Sequence, residues 1–156
     1  MNPKIGLLDY GQVKQMKMWE RLLLAEVYLA LYDGDKARLL ELSKRAGYKS
    51  KYNDPDVLFA VSVIGLDQDG VQVTGGLNIQ QFMDQLFAKD PWEDMLDVFV
   101  MPSRMSLLLR GVGLMLNHPV SVAKAWKPIA EKVLQDYRDS HGGKLDYEIP
   151  KEETIN

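Results

Sequence analysis

Between Lys17 and Tyr32 a single helical segment carries apolar residues on two of its faces, and nothing else in the sequence narrows the possible folds as much. Met18, Leu22, Ala25, Leu29 and Tyr32 mark one face at helical spacing, while Leu23, Val27 and Ala30 extend the apolar surface to a second. A surface helix needs only one apolar stripe, so a helix with two must be covered from both sides and belongs at the centre of a helical fold. Asp33-Gly34 ends it, with Gly34 suited to the left-handed position that closes a helix.

Further helices are punctuated in the same way. Asp35 caps a helix over 36–46 that Gly47 ends, with Ala37, Leu39, Leu40 and Leu42 as its apolar stripe. Asp54-Pro55 opens the next, because proline in the first turn loses no needed hydrogen bond, and Gly65 is expected to end it. Residues 67–76 read as loop. Asn78 caps a helix bearing Ile79, Phe82, Met83, Leu86 and Phe87. Asp90-Pro91 is expected to open a short helical segment through Phe99, and Pro102 or Ser103 a separate, strongly apolar helix ending near Asn117. Ser121 caps the last helix, through about Arg138, with Pro128 expected to kink it. Residues 139–156 are polar and contain Gly142-Gly143, which predicts an extended or flexible tail.

A chain of 156 residues is long enough for one domain with a real core. It has no cysteine, which removes disulfides, thiolate metal sites and a cysteine nucleophile, and its two histidines, His118 and His141, cannot build a histidine-rich metal cluster. A net charge of −3 and the lack of a basic stripe interleaved with aromatics argue against nucleic acid as a partner. The N-terminus shows no charged segment leading into an apolar core of the kind a leader peptide carries. The apolar run Met105 to Leu116 is broken by Arg110 and is shorter than the ~20 residues of a membrane span, so no transmembrane helix is expected.

Ile5 to Leu8 is a short apolar run that reads as a buried strand delivering Asp9 into a turn at Gly11. Asp9-Tyr10-Gly11 has the form of the kinase Asp-Phe-Gly segment, whose Asp holds the Mg²⁺ bridging the ATP phosphates. On the tripeptide alone, a bare strand end followed by a turn with an exposed Asp is the favoured explanation. Arg110, set among Leu107, Leu108, Leu109, Val112 and Leu114, is expected to be buried, and a buried arginine must be paired. A structural ion pair with an acid such as Glu26 is the simpler role, and an interface or anion site the sharper one. Trp126, like Trp19 and Trp92, is a core or interface anchor rather than a stacking platform.

The text around Asp9 adds a family resemblance. Gly6 to Lys14, then Arg21 with Leu24-Ala25, Tyr28 to Leu31 and Asp33-Gly34-Asp35, then Arg104 and Leu107 to Gly111, then Ser121-Val122-Ala123 with Trp126, fall in the same order as in the UbiB-like atypical kinases (aarF-domain, ADCK-type). The resemblance covers roughly residues 4–137 and corresponds to the C-terminal half of the kinase-like domain. It implies a mainly α fold, a truncated kinase-like C-lobe bundle with a short N-terminal strand, over 1–138, followed by the tail at 139–156. It also implies Asp9 as a metal ligand if the rest of a kinase site is supplied, and Arg21, Glu26, Arg110 and Trp126 as structural or interface residues.

The family's N-lobe lysine, nucleotide loop and catalytic loop lie upstream of the matched blocks. The expectation is therefore a catalytically incomplete remnant, with no cofactor of its own, that serves as a structural or accessory subunit of a multi-protein assembly. That assembly is expected in the mitochondrion, with the plastid as the alternative, and can be membrane-associated. The competing expectation is one part of a split or longer UbiB-like kinase or ATPase that uses ATP and Mg²⁺ and is linked to coenzyme Q metabolism. A third is a small lipid-associated module working through Leu107 to Leu116, which the expected burial of that helix opposes.

Overall fold

The computed structural model of the chain describes residues 13–93 and 97–150. The expected strand at Ile5 to Leu8 lies outside them. The described chain is mainly helical: α1 (Met18–Asp33), α2 (Lys36–Arg45), α3 (Pro55–Leu66), the single turn α4 (Val71–Thr74), α5 (Ile79–Lys89), α6 (Asp97–Met115) and α7 (Val122–Ser140).

Helix α1 is the centre of the bundle, and its two apolar faces go to two separate clusters. Leu23, Leu24, Val27, Tyr28 and Leu31 meet Leu39 and Leu42 of α2, Leu58, Val63 and Leu66 of α3, and Val122 and Ala123 at the start of α7. Leu22 and Ala25 turn to the other side and pack on Ala130 and Leu134 of α7. Fully burying each such leucine contributes roughly 1.5–3 kcal/mol, so the two clusters together carry most of what orders α1.

The helix ends follow local chemistry. The Asp35, Asn78 and Ser121 side chains accept the backbone N–H groups of Arg38, Gln81 and Lys124 at 2.9, 2.9 and 3.2 Å. Asp54 accepts from both Asp56 and Val57 at 2.8 and 3.2 Å. Gly34, at φ 70°, closes α1 by letting the Asp35 N–H reach the Ala30 carbonyl at 2.9 Å.

Four boundaries differ from the sequence reading. Gly65 lies inside the last turn of α3 rather than ending it, in contact range of Ser103 on α6. The 67–76 loop contains the turn α4. Asp90-Pro91 does not begin a helix: Asp90 is extended (φ −143°, ψ 91°), and Ser50 pairs with Trp92 in an antiparallel bridge. The segment through Phe99 and the apolar helix after it are one helix, α6, which runs through Pro102.

Beyond α7 the chain has no regular structure from 144 to 150 and lies against the bundle. Leu145 packs on the second cluster, Ile149 on the first, and Tyr147 on both.

Candidate functional site

Four acids are buried among the described residues, Glu20, Glu26, Asp67 and Asp90, and each is occupied by structure. Glu20, in the first turn of α1, accepts the Lys17 backbone N–H at 2.7 Å and the Lys14 ammonium at 2.9 Å. Burial alone would raise its carboxyl pKa, but the bonds from Lys14 and Lys17 outweigh it and leave the pKa lowered. Asp90 accepts the Ser50 hydroxyl at 2.7 Å and the backbone N–H groups of Tyr52 and Asp54 at 2.7 and 2.8 Å. Burial pushes that carboxyl up too, and the three donors reverse the effect. Asp90 thereby fastens the α2–α3 connection to the end of α5. Asp67, just past α3, accepts the Ser121 hydroxyl at 2.7 Å and the Ala123 N–H at 2.8 Å, and so caps α7 from a distance.

Glu26 points from α1 toward α2 and the C-terminal segment. It receives the Arg38 guanidinium on one carboxylate oxygen and the Tyr147 hydroxyl on the other. Arg45 sits over the Tyr147 ring, 5.0 Å from its centroid. Burial, and after it Glu26, pushes the Tyr147 phenol up.

Arg110 is buried, with 3% of its surface exposed. Its partner is not Glu26, which is committed to Arg38 and Tyr147. Arg110 donates instead to the Ile64 carbonyl at the end of α3 at 2.7 Å and lies 3.8 Å from the Asp69 carboxylate. Its Nε and Nη1, and the Ser106 hydroxyl one turn earlier, are buried without partners among the described residues. Burial pulls the guanidinium pKa down, and Asp69 and Asp67 oppose that. Trp126 stacks on Tyr28, ring centroids 5.9 Å apart and planes 12° from parallel. Burial, with Asp67 adding and Arg110 opposing, pushes the Tyr28 phenol up to about 12. Arg21 faces solvent from the first turns of α1, and Asp9 lies outside the described residues.

The environment of Arg110 reverses the expectation for its helix. The residues that α6 buries are Val98, Ser103, Ser106, Arg110 and Gly113, and from Ser103 onward that stripe contains no large apolar side chain. Leu107, Leu108, Leu109, Val112, Leu114 and Met115 are all exposed. The helix is therefore turned polar side in and apolar side out. Because it begins at Asp97, its 19 residues also reach membrane-span length and hydropathy, with 28% of the apolar window buried.

Sequence reasoning did not find Asp67, Asp90 or Tyr147. For the first two the signal was present but shared with helix ends and turns, where Asp is common. Among the described residues no group of three or more histidines or acids could hold a metal ion. An apolar cleft between Val27, Leu39, Leu58, Leu66 and Phe99 measures ≈ 70 Å³, well below the ~300 Å³ at which small-molecule pockets begin.

The chain is similar to the probable protein kinase UbiB of Xanthomonas oryzae pv. oryzae and to that of Xanthomonas euvesicatoria pv. vesicatoria, 24% identical to each over 138 residues. The match takes in 87% of this chain and 25% of each relative, so the chain spans about a quarter of the length of the curated relatives it matches. No protein-family model and no solved structure matches it. The likeness supports a distant UbiB-like relationship.

Proposed function

We propose that this chain is a UbiB-like helical module whose role is structural, as an accessory part of a larger protein assembly. The observation that carries the reading is the use of the buried acids: Glu20, Glu26, Asp67 and Asp90 are each tied up in caps, latches and ion pairs. A general base or metal ligand needs a carboxylate free to take a proton or an ion, and each of these four is already bound by donors from the fold. The distant likeness to probable protein kinase UbiB supports reading the module in a kinase-like context. That resemblance also favours a mitochondrial setting, with a plastid as the alternative.

The second reading is that these residues belong to a UbiB-like kinase or ATPase completed by further polypeptide. Kinship over 138 residues favours it. Asp9 would then act as a Mg²⁺ ligand beside ATP, in chemistry tied to coenzyme Q. Phosphoryl transfer depends on positioning and charge stabilisation by several groups at once, so one carboxylate contributes only within the completed site.

Native mass spectrometry of the protein gently isolated from its source separates the two. A stable complex with subunits that bring no kinase N-lobe supports the structural role. A complex with an N-lobe polypeptide, or a chain mass well above 17.7 kDa, supports the kinase reading. A lone monomer of 17.7 kDa contradicts both.

A further inference from the structure

We propose that the seam which α1 forms with α2 and α7 is a docking site for an extended segment of a partner protein, with the pattern apolar, acidic, tyrosine, acidic, apolar. Residues 144–150 of this chain are a removable occupant of the same chemistry. The inference rests on the accessory role proposed above and names a surface through which that role is played.

The occupant shows what the seam selects. Leu145 packs on the cluster that α1 shares with α7, Ile149 on the cluster that α1 shares with α2 and α3, and Tyr147 on both. These three alternate with the exposed Asp146 and Glu148, the period of an extended chain. Three polar contacts complete the fit. The Tyr137 hydroxyl of α7 donates to the Asp146 carbonyl at 2.9 Å, and Arg45 of α2 donates to the Tyr147 carbonyl at 3.4 Å. The Tyr147 phenol donates to Glu26 of α1. The first two contacts read main-chain carbonyls, which any sequence offers, while the third reads a phenol. Main-chain bonds for affinity and seats for alternate side chains for specificity are how extended peptides are recognised. The α2 wall also brings Arg38 and Arg45, opposite in charge to the two acids that flank the tyrosine.

Two further observations make this occupant separable from the bundle. Among the described residues no main-chain N–H from 145 to 150 is bonded to the helices, so releasing the segment breaks no backbone ladder. The segment leaves α7 through Gly142-Gly143, at φ 65° and 81°, and a glycine pair can swing to other backbone angles without steric cost. A partner segment of the same pattern can then take over the three seats and the three polar contacts.

The test is fluorescence anisotropy of a labelled peptide copying residues 144–150, titrated with the full chain. In the wild type the chain's own segment competes for the seam. Tyr147→Phe in the chain removes the phenol contact and keeps the ring packing, so the fold, checked by circular dichroism, is retained and the competitor is weakened. The expected result is that the peptide binds this variant at least tenfold more tightly than it binds the wild type. The peptide itself carrying Tyr147→Phe should bind the variant at least tenfold more weakly than the unaltered peptide does, since it has no hydroxyl for the Glu26 carboxylate. No saturable binding to the variant, or equal binding of the two peptides, would overturn the proposal. So would a wild-type dimer that Tyr147→Phe splits, because the seam would then be filled by a second copy of this chain. Failure of peptide binding beside an intact native complex would remove the seam as a docking site and leave the accessory role standing.

Discussion

Tyr147→Phe isolates the contact that ties the C-terminal segment to the bundle. The substitution keeps the ring, its packing on both apolar clusters and the Arg45 cation above it, and removes only the hydroxyl that donates to Glu26. Glu26 is 6% exposed, so its second oxygen has little water to turn to once the phenol is gone. Hydrogen bonds to charged groups contribute roughly 1.5–3 kcal/mol, and that is the expected loss. For a domain of this size, with about 2–4 °C of melting temperature per kcal/mol, the midpoint should fall by about 3–12 °C. The assay is urea and thermal denaturation at neutral pH. The Tyr147 pKa is raised, so the folded state holds the phenol proton more tightly than the unfolded chain does. Its contribution is therefore complete below the unfolded value near pH ~10 and is lost as pH climbs toward the folded value. Wild-type stability should fall through that alkaline range more steeply than that of Tyr147→Phe. A loss below about 0.5 kcal/mol, within the scatter of ordinary surface substitutions, would refute the latch.

Other perturbations read other parts of the fold. Asp90→Ala strips three donors of their acceptor at a site with no exposed surface and should cost about 3 kcal/mol or more by denaturant titration. Because the Asp90 pKa is lowered, its contribution is present above the unfolded value of ~4 and disappears as pH falls through the folded value, so acid unfolding of this variant should be shallower. Gly113→Ala places a carbon 2.6 Å from the His118 carbonyl oxygen and should destabilise by about 1–3 kcal/mol in thermal melts, despite alanine's better helix propensity. Arg110→Met keeps the stem and removes a charge with two unpartnered nitrogens, and in the same melts should cost under about 1.5 kcal/mol.

The legible parts of the fold were those decided by residues close in sequence. Asp35, Asp54, Asn78 and Ser121 cap where their spacing to a following apolar run says they should, because each cap closes over two or three residues. The two faces of α1 were readable because one periodic pattern records both. Asp90 and Tyr147 were not, since their partners lie 36–40 and 121 residues away and nothing local marks them. The inversion of α6 falls between these cases. Ser103, Ser106, Arg110 and Gly113 repeat at spacings of three, four and three, a stripe poor in apolar side chains that was visible in the sequence. Hydropathy alone assigns the apolar side to the interior, and here the interior takes the stripe because Arg110 reaches the end of α3 and Gly113 lets the chain turn back at His118.

The structural role is tested most directly by how the native assembly handles nucleotide. The assembly isolated with the chain, wild type and Asp9→Asn, is titrated with ATP and Mg²⁺ while phosphate release and thermal shift are followed. The expected result is the same phosphate release and the same melting behaviour with MgATP for both assemblies. Hydrolysis by the wild-type assembly that Asp9→Asn abolishes would contradict the structural role and make this helical bundle part of a working kinase site.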